Sequence, residues 1–335
     1  STSLTIAADA VTTAKIADDA VTADKLANSI NTAIAANTAK DLTALSASNL
    51  TSGTIPDARF PSTLPAVSGA NLTGISSAGV NKNLIINGAM QVCQRYNLAS
   101  MNNISGCTHT YHTDRFKGFN GNGGILGLEW QTNHPEGFSK SLRIKAVGAD
   151  TSIDGLTFVS HVIEDINFQH LNYGLSTAQT CTLSFWIKSN LTGTYSVGLI
   201  NDTQGSRGFV AEYTINAANT WEKKTITVPG DTSGTWNSGG LRVHWALAIQ
   251  SDRRTSTLNS WHTTSSVQYC STNQPNFMSS TANYMNLTGV QFELGSTATG
   301  FEHKFYADEL RLCERYYVKD SHGGIRNAIN NNADR

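Results

Sequence analysis

"LRVHWALAI", residues 241–249, places Leu241, Val243, Trp245, Leu247 and Ile249 on one side of an extended chain and Arg242 and His244 on the other. Successive side chains of a strand point to opposite faces, so this period of two predicts a half-buried β-strand. The same alternation recurs nearby. In "TLSFWIK" (182–188) Leu183, Phe185 and Ile187 share a face, and in "YSVGLI" (195–200) Tyr195, Val197 and Leu199 do. Short alternating runs separated by Gly, Asn and Ser turns predict an antiparallel β-sandwich. A helical period is clear in "YADELRLCERYY" (306–317), where Leu310, Cys313 and Tyr317 fall on one side. There Asp308 and Glu309 precede Arg311 and Arg315, the order the helix dipole favours. The expected architecture is all-β, with a sandwich over residues 82–305 and a short helix and tail over 306–335.

Upstream the text is different in kind. "IAADAVTTAKIADDAVTADKLA" (6–27) has Ile6, Val11, Ile16, Val21 and Leu26 at intervals of five, which fits neither a helix stripe nor a strand and reads instead as a repeat. Ordering five backbones costs roughly 5–10 kcal/mol, whereas burying one Ile or Val returns about 1.5–3 kcal/mol. A single copy is therefore expected to need partners around a common axis, the alternative being a disordered Ala/Thr/Asp linker. Residues 1–41 read as an elongated repeat shaft, and the Pro/Gly-rich 42–81 as an extended connector. The anchoring N-terminus is expected to lie upstream of Ser1.

Bulk composition excludes several classes. The chain has 335 residues, 24 Lys and Arg against 25 Asp and Glu, and 15% charged residues. No basic concentration argues for nucleic acid or an anionic membrane surface. No apolar run approaches the roughly 18 residues of a spanning helix, and no leader pattern opens the chain, so a soluble protein without membrane insertion is expected. Five Cys without CxxC pairs suit reduced thiols better than a disulfide framework.

"ASNLTSGTIPDARFP" and "ADDAVTADKLA" resemble shaft segments of bacteriophage tail fibres, which are trimeric. "NLIINGAMQVCQRYN" (83–97), "DRFKGF" (114–119), "TLSFWIKS" (182–189), "TWEKKTITVPGDTSGTWNSGGLRVHWALA" (220–248) and "LTGVQFELGSTATGFEHKFYADELRLCERYY" (287–317) resemble, in this order, the C-terminal domain of a group of phage tail fibre and tail proteins. The resemblance covers about residues 82–318. It implies a jelly-roll-like sandwich similar to carbohydrate-binding modules, carried in the virion after assembly in the host cytoplasm. It further implies a homotrimer that contacts host surface glycan, lipopolysaccharide or capsule, and is held by other tail proteins. The tail after Tyr317 departs from the pattern.

Candidate sites divide into weak and stronger ones. Cys107, His109, His112 and Asp114 lie close together, but zinc wants paired ligands from two elements, so they are read as a polar turn and no metal or cofactor is expected. Glu164 and Asp165 are adjacent, so on a strand they oppose each other and cannot flank one glycosidic bond. The N-x-S/T matches at Asn49, Asn71, Asn103, Asn190, Asn201 and Asn286 follow from an Asn/Ser/Thr-rich composition. No GxSxG, P-loop or HExxH is present, and no enzyme is expected; the rivals are a tailspike-type depolymerase and a purely structural tail component. The stronger candidates are outward or loop-borne: Trp186, Arg242, His244, Trp236, Trp261 and His262, which combine stacking rings with hydrogen-bond donors as saccharide sites do. Alternation together with the resemblance implies that Trp186, Arg242 and His244 lie on neighbouring strands, whereas Trp245 is expected in the core.

Overall fold

Residues 28–38, 82–201, 207–236, 239–263, 268–319 and 325–326 are described by a computed structural model. The chain falls into two units, Ser1–Leu72 and Thr73–Arg335. The five-residue repeats of 6–27, the connector and the tail beyond residue 326 lie outside the described residues.

In the first unit the described element is a helix, α1 (Asn28–Thr38). It corrects the all-β expectation for this stretch. "NSINTAIAANT" contains three Ala and no Gly or Pro, so nothing in it breaks a helix. Its described side chains are exposed or half-buried, Ile30 at 48% exposure among them.

The second unit is the expected antiparallel sandwich. One sheet has six strands in the order β1 (Met101–Ile104), β4 (Ile125–Gln131), β5 (Ser141–Gly148), β15 (Tyr284–Leu294), β7 (Cys181–Ser189), β10 (Glu222–Val228). The other has seven: β13 (Trp261–Thr263), β9 (Arg207–Ile215), β8 (Gly193–Asn201), β11 (Leu241–Ile249), β6 (Leu156–Ile163), β3 (Phe116–Asn120), β2 (Thr108–Tyr111). Strands β5 to β8 alternate between the sheets, the crossing pattern of a jelly roll. A short parallel pair, β12 (Arg254–Thr255) with β14 (Cys270–Ser271), flanks the larger sheet. A one-turn helix α2 (Asp165–Phe168) follows β6, and α3 (Tyr306–Glu314) follows the last long strand.

The core between the sheets holds the alternating sets read above. Leu183, Phe185, Ile187, Tyr195, Val197, Leu199, Leu241, Val243, Trp245 and Leu247 are buried together. Trp245 meets Phe116 and Phe185 at centroid distances of 6.4 and 5.6 Å. Ile249 is the exception. The β11–β6 register shifts between Ala246 and Ala248, a bulge that turns the end of the strand over, so Ala248 enters the main core. Ile249 packs instead with Phe158, Ala246 and Cys270 in a second cluster on the outward side. The helix departs from its expected stripe as well: Glu309 and Cys313 are its buried residues, Leu310 is half-buried, and Tyr317 lies beyond its end.

Candidate functional site

The outward side of the seven-stranded sheet is built from cross-strand rows. His109 of β2 stands opposite Phe119 of β3, and Phe119 opposite Phe158 of β6. In the next row Tyr111 faces Lys117, Lys117 faces Ser160, and Ser160 faces His244 of β11. Arg242 lies one row further, between Val162 and Ile200. Side chains opposite one another in antiparallel strands touch, and these do. The centroids of His109 and Phe119 are 4.6 Å apart, and Phe119 stacks on Phe158 at 5.3 Å. The Arg242 guanidinium lies 5.6 Å from the Phe158 ring and 5.9 Å from that of Tyr269, while Lys117 Nζ is 5.5 Å from the Tyr111 ring. Arg95 reaches Tyr111 at 5.2 Å from the sheet edge and covers Tyr317 at 3.6 Å.

Part of this side is roofed by the chain itself. Residues 269–274 cross it, and Ser196 and Gln274 tie the crossing down: the Ser196 amide donates to Gln274 Oε1 at 2.7 Å, and the Ser271 amide donates to Ser196 Oγ at 3.0 Å. Under this strap His244 is fully buried, its Nε2 donating to the Tyr269 carbonyl at 2.8 Å. Desolvation lowers its pKa to about 3, the nearby Arg242 charge adding to the effect and the bond to Tyr269 opposing it. The ring fits because the facing residue is Gly198, where a Cβ would stand 2.3 Å from the imidazole. Outside the strap His109 is exposed and Tyr111, Phe119 and Arg242 are half-buried, as is Tyr269 at the start of the strap itself. These groups form the open part of the face, with the Arg242 guanidinium lying beside ring surface.

The sequence candidates are distributed differently from the expectation. Trp186 is on β7, opposite Thr288 and Lys223 in the six-stranded sheet, so it does not neighbour Arg242 and His244. Outward residues of two stacked sheets point away from each other, and alternation within a strand carries no record of which sheet the strand joins. Trp186 lies over Gly289, whose positive φ of 60° and close approach to the indole and to Phe138 leave no room for a side chain. His244 is a covered residue, as above.

Trp236 and Trp261 pack at one end of the sandwich. Trp236 is 9% exposed and meets Phe168, Tyr173 and Trp261 edge-on at 5.9, 5.2 and 5.4 Å. Its Nε1 donates to Asp231 Oδ2 at 3.1 Å, and that carboxylate is buried in an ion pair with Arg207, whose Nε donates to it at 2.8 Å. Trp261 Nε1 donates to the Pro229 carbonyl at 2.6 Å. Both indole N–H groups are thus bonded within the protein, Trp236 being buried and Trp261 half-buried. His262 is half-buried beside Gly208, with Nδ1 3.4 Å from the Ser260 carbonyl.

The Cys107–Asp114 run also separates. His109 points outward, whereas His112 is fully buried, stacked on Tyr96 at 4.6 Å, and Asp114 is held by Gln94 and Arg95. Among the described residues no three His, Cys, Asp or Glu come together as metal ligands. Glu164 pairs with Arg315 at 2.9 Å, and Asp165 opens α2. The open face depends on Tyr111, Lys117, Phe119, Phe158 and Tyr269, none singled out from sequence. The available signal was "RFKGF", in which Lys117 and Phe119 alternate with Phe116 and Gly118.

No protein-family model and no curated protein matches this chain. Among solved structures, the enzymatically active domain of tailspike protein 4 from bacteriophage CBA120 is similar over 64% of this chain and 22% of its own, with 13% identity and a TM-score of 0.31. The family 11 carbohydrate-binding module from Clostridium thermocellum matches over 61% of this chain and all of its own, at 11% identity and TM-score 0.30. A cyclase from Fischerella sp. matches over 65% and 99%, at 10% identity and TM-score 0.37.

Proposed function

We propose that this protein is a homotrimeric bacteriophage tail fibre that attaches the virion to a bacterial surface polysaccharide, lipopolysaccharide or capsule, through the open face of the seven-stranded sheet. The fibre part rests on the sequence resemblance of the repeats and of residues 82–318. The observation that carries glycan binding is the set of half-buried rings, Tyr111 and Phe119 on the sheet and Tyr269 in the segment that crosses it, with the half-buried Arg242 beside Tyr269. Trimerisation is supported by the entropy deficit of the five-residue repeats, and three heads would raise avidity by orders of magnitude without new contacts. The reading is of binding without cleavage, since Glu164 is engaged by Arg315 and Asp165 by the start of a helix.

A glycan array probed with the full chain, with the supernatant analysed for released oligosaccharide, tests the reading. Retention of specific glycans with no product is the expected result. Oligosaccharide release makes the protein a depolymerase, and retention of no glycan points to a structural tail component. Sedimentation of the full chain is expected to give a trimer; a monomer in dilute buffer contradicts it.

A further inference from the structure

Two large rings stand in water at the start of α3. Phe305 is 84% exposed, the highest value for a large apolar side chain among the described residues, and Tyr306 beside it is 58% exposed. Single apolar side chains scattered over a surface are ordinary, whereas adjacent rings at this exposure make a patch of the kind that meets a partner. Phe305 also occupies the N-cap, where Ser, Thr, Asp and Asn serve best because their side chains accept a backbone N–H, and its ring accepts none. The Phe305 carbonyl takes the Asp308 and Glu309 amides at 3.0 Å each, so the helix fixes the backbone while the ring does nothing for the helix. The opposite side of α3 is fastened down. Glu309 is buried and accepts from the Asn87 amide at 2.5 Å, Cys313 is buried, and Arg315 pairs with Glu164 at 2.9 Å, so the two rings are held out on a fixed support.

The patch lies where the chain enters the sandwich. Lys82 Nζ donates to Thr299 Oγ1 at 2.6 Å and to the Gly300 carbonyl at 2.8 Å, and the Asn83 amide donates to Glu302 Oε2 at 2.8 Å. Glu302 is three residues before Phe305, a reach of at most about 11 Å. The chain before Lys82 therefore joins the sandwich beside these rings. Charge around them is balanced, Lys304 pairing with Glu302 at 3.1 Å and Arg311 with Asp308 at 3.6 Å. A partner of one strong charge finds nothing complementary there, whereas a second copy of the chain meets an apolar centre with a neutral polar rim, the make-up of a subunit contact. In a closed homotrimer whose chains run together up to Lys82, the surface beside that residue is the one the copies turn to one another.

We infer that Phe305 and Tyr306 form the contact between heads, each ring pair packing on a neighbouring copy of this chain where the three sandwiches begin. This rests on the homotrimer reading above and places part of the trimer contact in the sandwich, not in the repeats alone.

The test replaces Phe305 with the photo-cross-linking analogue p-benzoylphenylalanine in the full chain, with two differently tagged copies co-expressed. Ala218 is the control position: it is exposed and adjoins Asn219, whose Oδ1 accepts from the Tyr284 hydroxyl at 2.6 Å at the start of β15, the far end of that strand from Leu294. Irradiation is expected to join the two tags covalently from position 305 and not from 218. Phe305→Ser combined with Tyr306→Ser is expected to raise the concentration at which the trimer dissociates in sedimentation by about tenfold or more, with circular dichroism showing the sandwich still folded. A trimer that gives no cross-link from 305, or as much from 218, overturns the inference and leaves the homotrimer standing. A double variant that dissociates like the parent but loses glycan retention makes the rings a ligand contact and overturns the inference as well. If the double variant does not fold, the cross-link decides alone. A full chain that sediments as a monomer overturns the homotrimer reading and this inference with it.

Discussion

Two regions of the sandwich use the same residue types to opposite ends. At one end Trp236, Trp261, Tyr173, Phe168 and Arg207 interlock, with both indole N–H groups bonded and the guanidinium paired to Asp231. On the outward side of the larger sheet Tyr111, Phe119, Lys117 and Arg242 stand in rows with Tyr269 crossing above them, the rings half-buried and the cations lying against ring faces. Aromatic and basic residues are common to both. What separates them is closure: the first region bonds both indole N–H groups and pairs its guanidinium internally, the second leaves ring surface exposed.

That contrast is open to attack by substitution, and the largest effects belong to the closed regions. Trp245→Ala in the central core is expected to cost about 3–5 kcal/mol in denaturant unfolding, through the cavity left between the sheets. Asp231→Ala is expected to cost about 3–5 kcal/mol as well, because it leaves the Arg207 charge buried without its carboxylate. Trp236→Ala follows the same pattern: a loss of stability with any loss of glycan binding explained by unfolding. If Trp236→Ala keeps its full melting temperature while losing adsorption to host cells, the contrast is wrong.

On the open face the pattern reverses. Tyr111→Ala is expected to weaken glycan binding by about 1–3 kcal/mol per site, within the range of single anchor residues, with a smaller change in stability. Trp186→Ala, on the six-stranded sheet, is expected to leave that binding unchanged. Isothermal titration and thermal unfolding of the two variants together separate the faces.

The smallest expected effect is on pH. His244 is buried with its pKa depressed by desolvation, whereas in the unfolded chain it titrates near the ordinary 6.5. The unfolded state therefore takes up a proton first, and the stability this neutral imidazole contributes, complete above about 6.5, is lost as pH falls toward the folded value. His112 and His161 shift in the same direction for the same reason. Unfolding free energy measured between pH 7.5 and 4 is expected to decline, and His244→Phe to decline less steeply. An unchanged slope in that variant would show that the strap does not hold the imidazole neutral.

Much of the sandwich was legible before any coordinates. Period-two alternation placed Leu183, Phe185, Ile187, Tyr195, Val197, Leu199, Val243 and Trp245 on core faces, because a strand at a sandwich interface must bury every second side chain. It failed at Ile249, where a bulge inserts a half-step that no pattern of residue types announces. It also missed α1, because the five-residue spacing ends before Asn28 and the helix carries no apolar stripe of its own.

The candidate face was legible only in fragments. The outward placement of Arg242 and His244 followed from their own strand. That His244 is roofed by residues 269–274 depends on a segment 25 positions away in sequence. By itself the sequence determined several strands, their core sides and the neutral overall charge, since these rest on local period and composition. Only the tertiary structure decided which sheet each strand joined, that Trp186 and Arg242 lie on opposite sheets, that Trp236 and Trp261 close upon each other, and that Lys117 stands beside Tyr111. Those outcomes depend on strand order and on contacts between distant segments, which alternation along one strand does not encode.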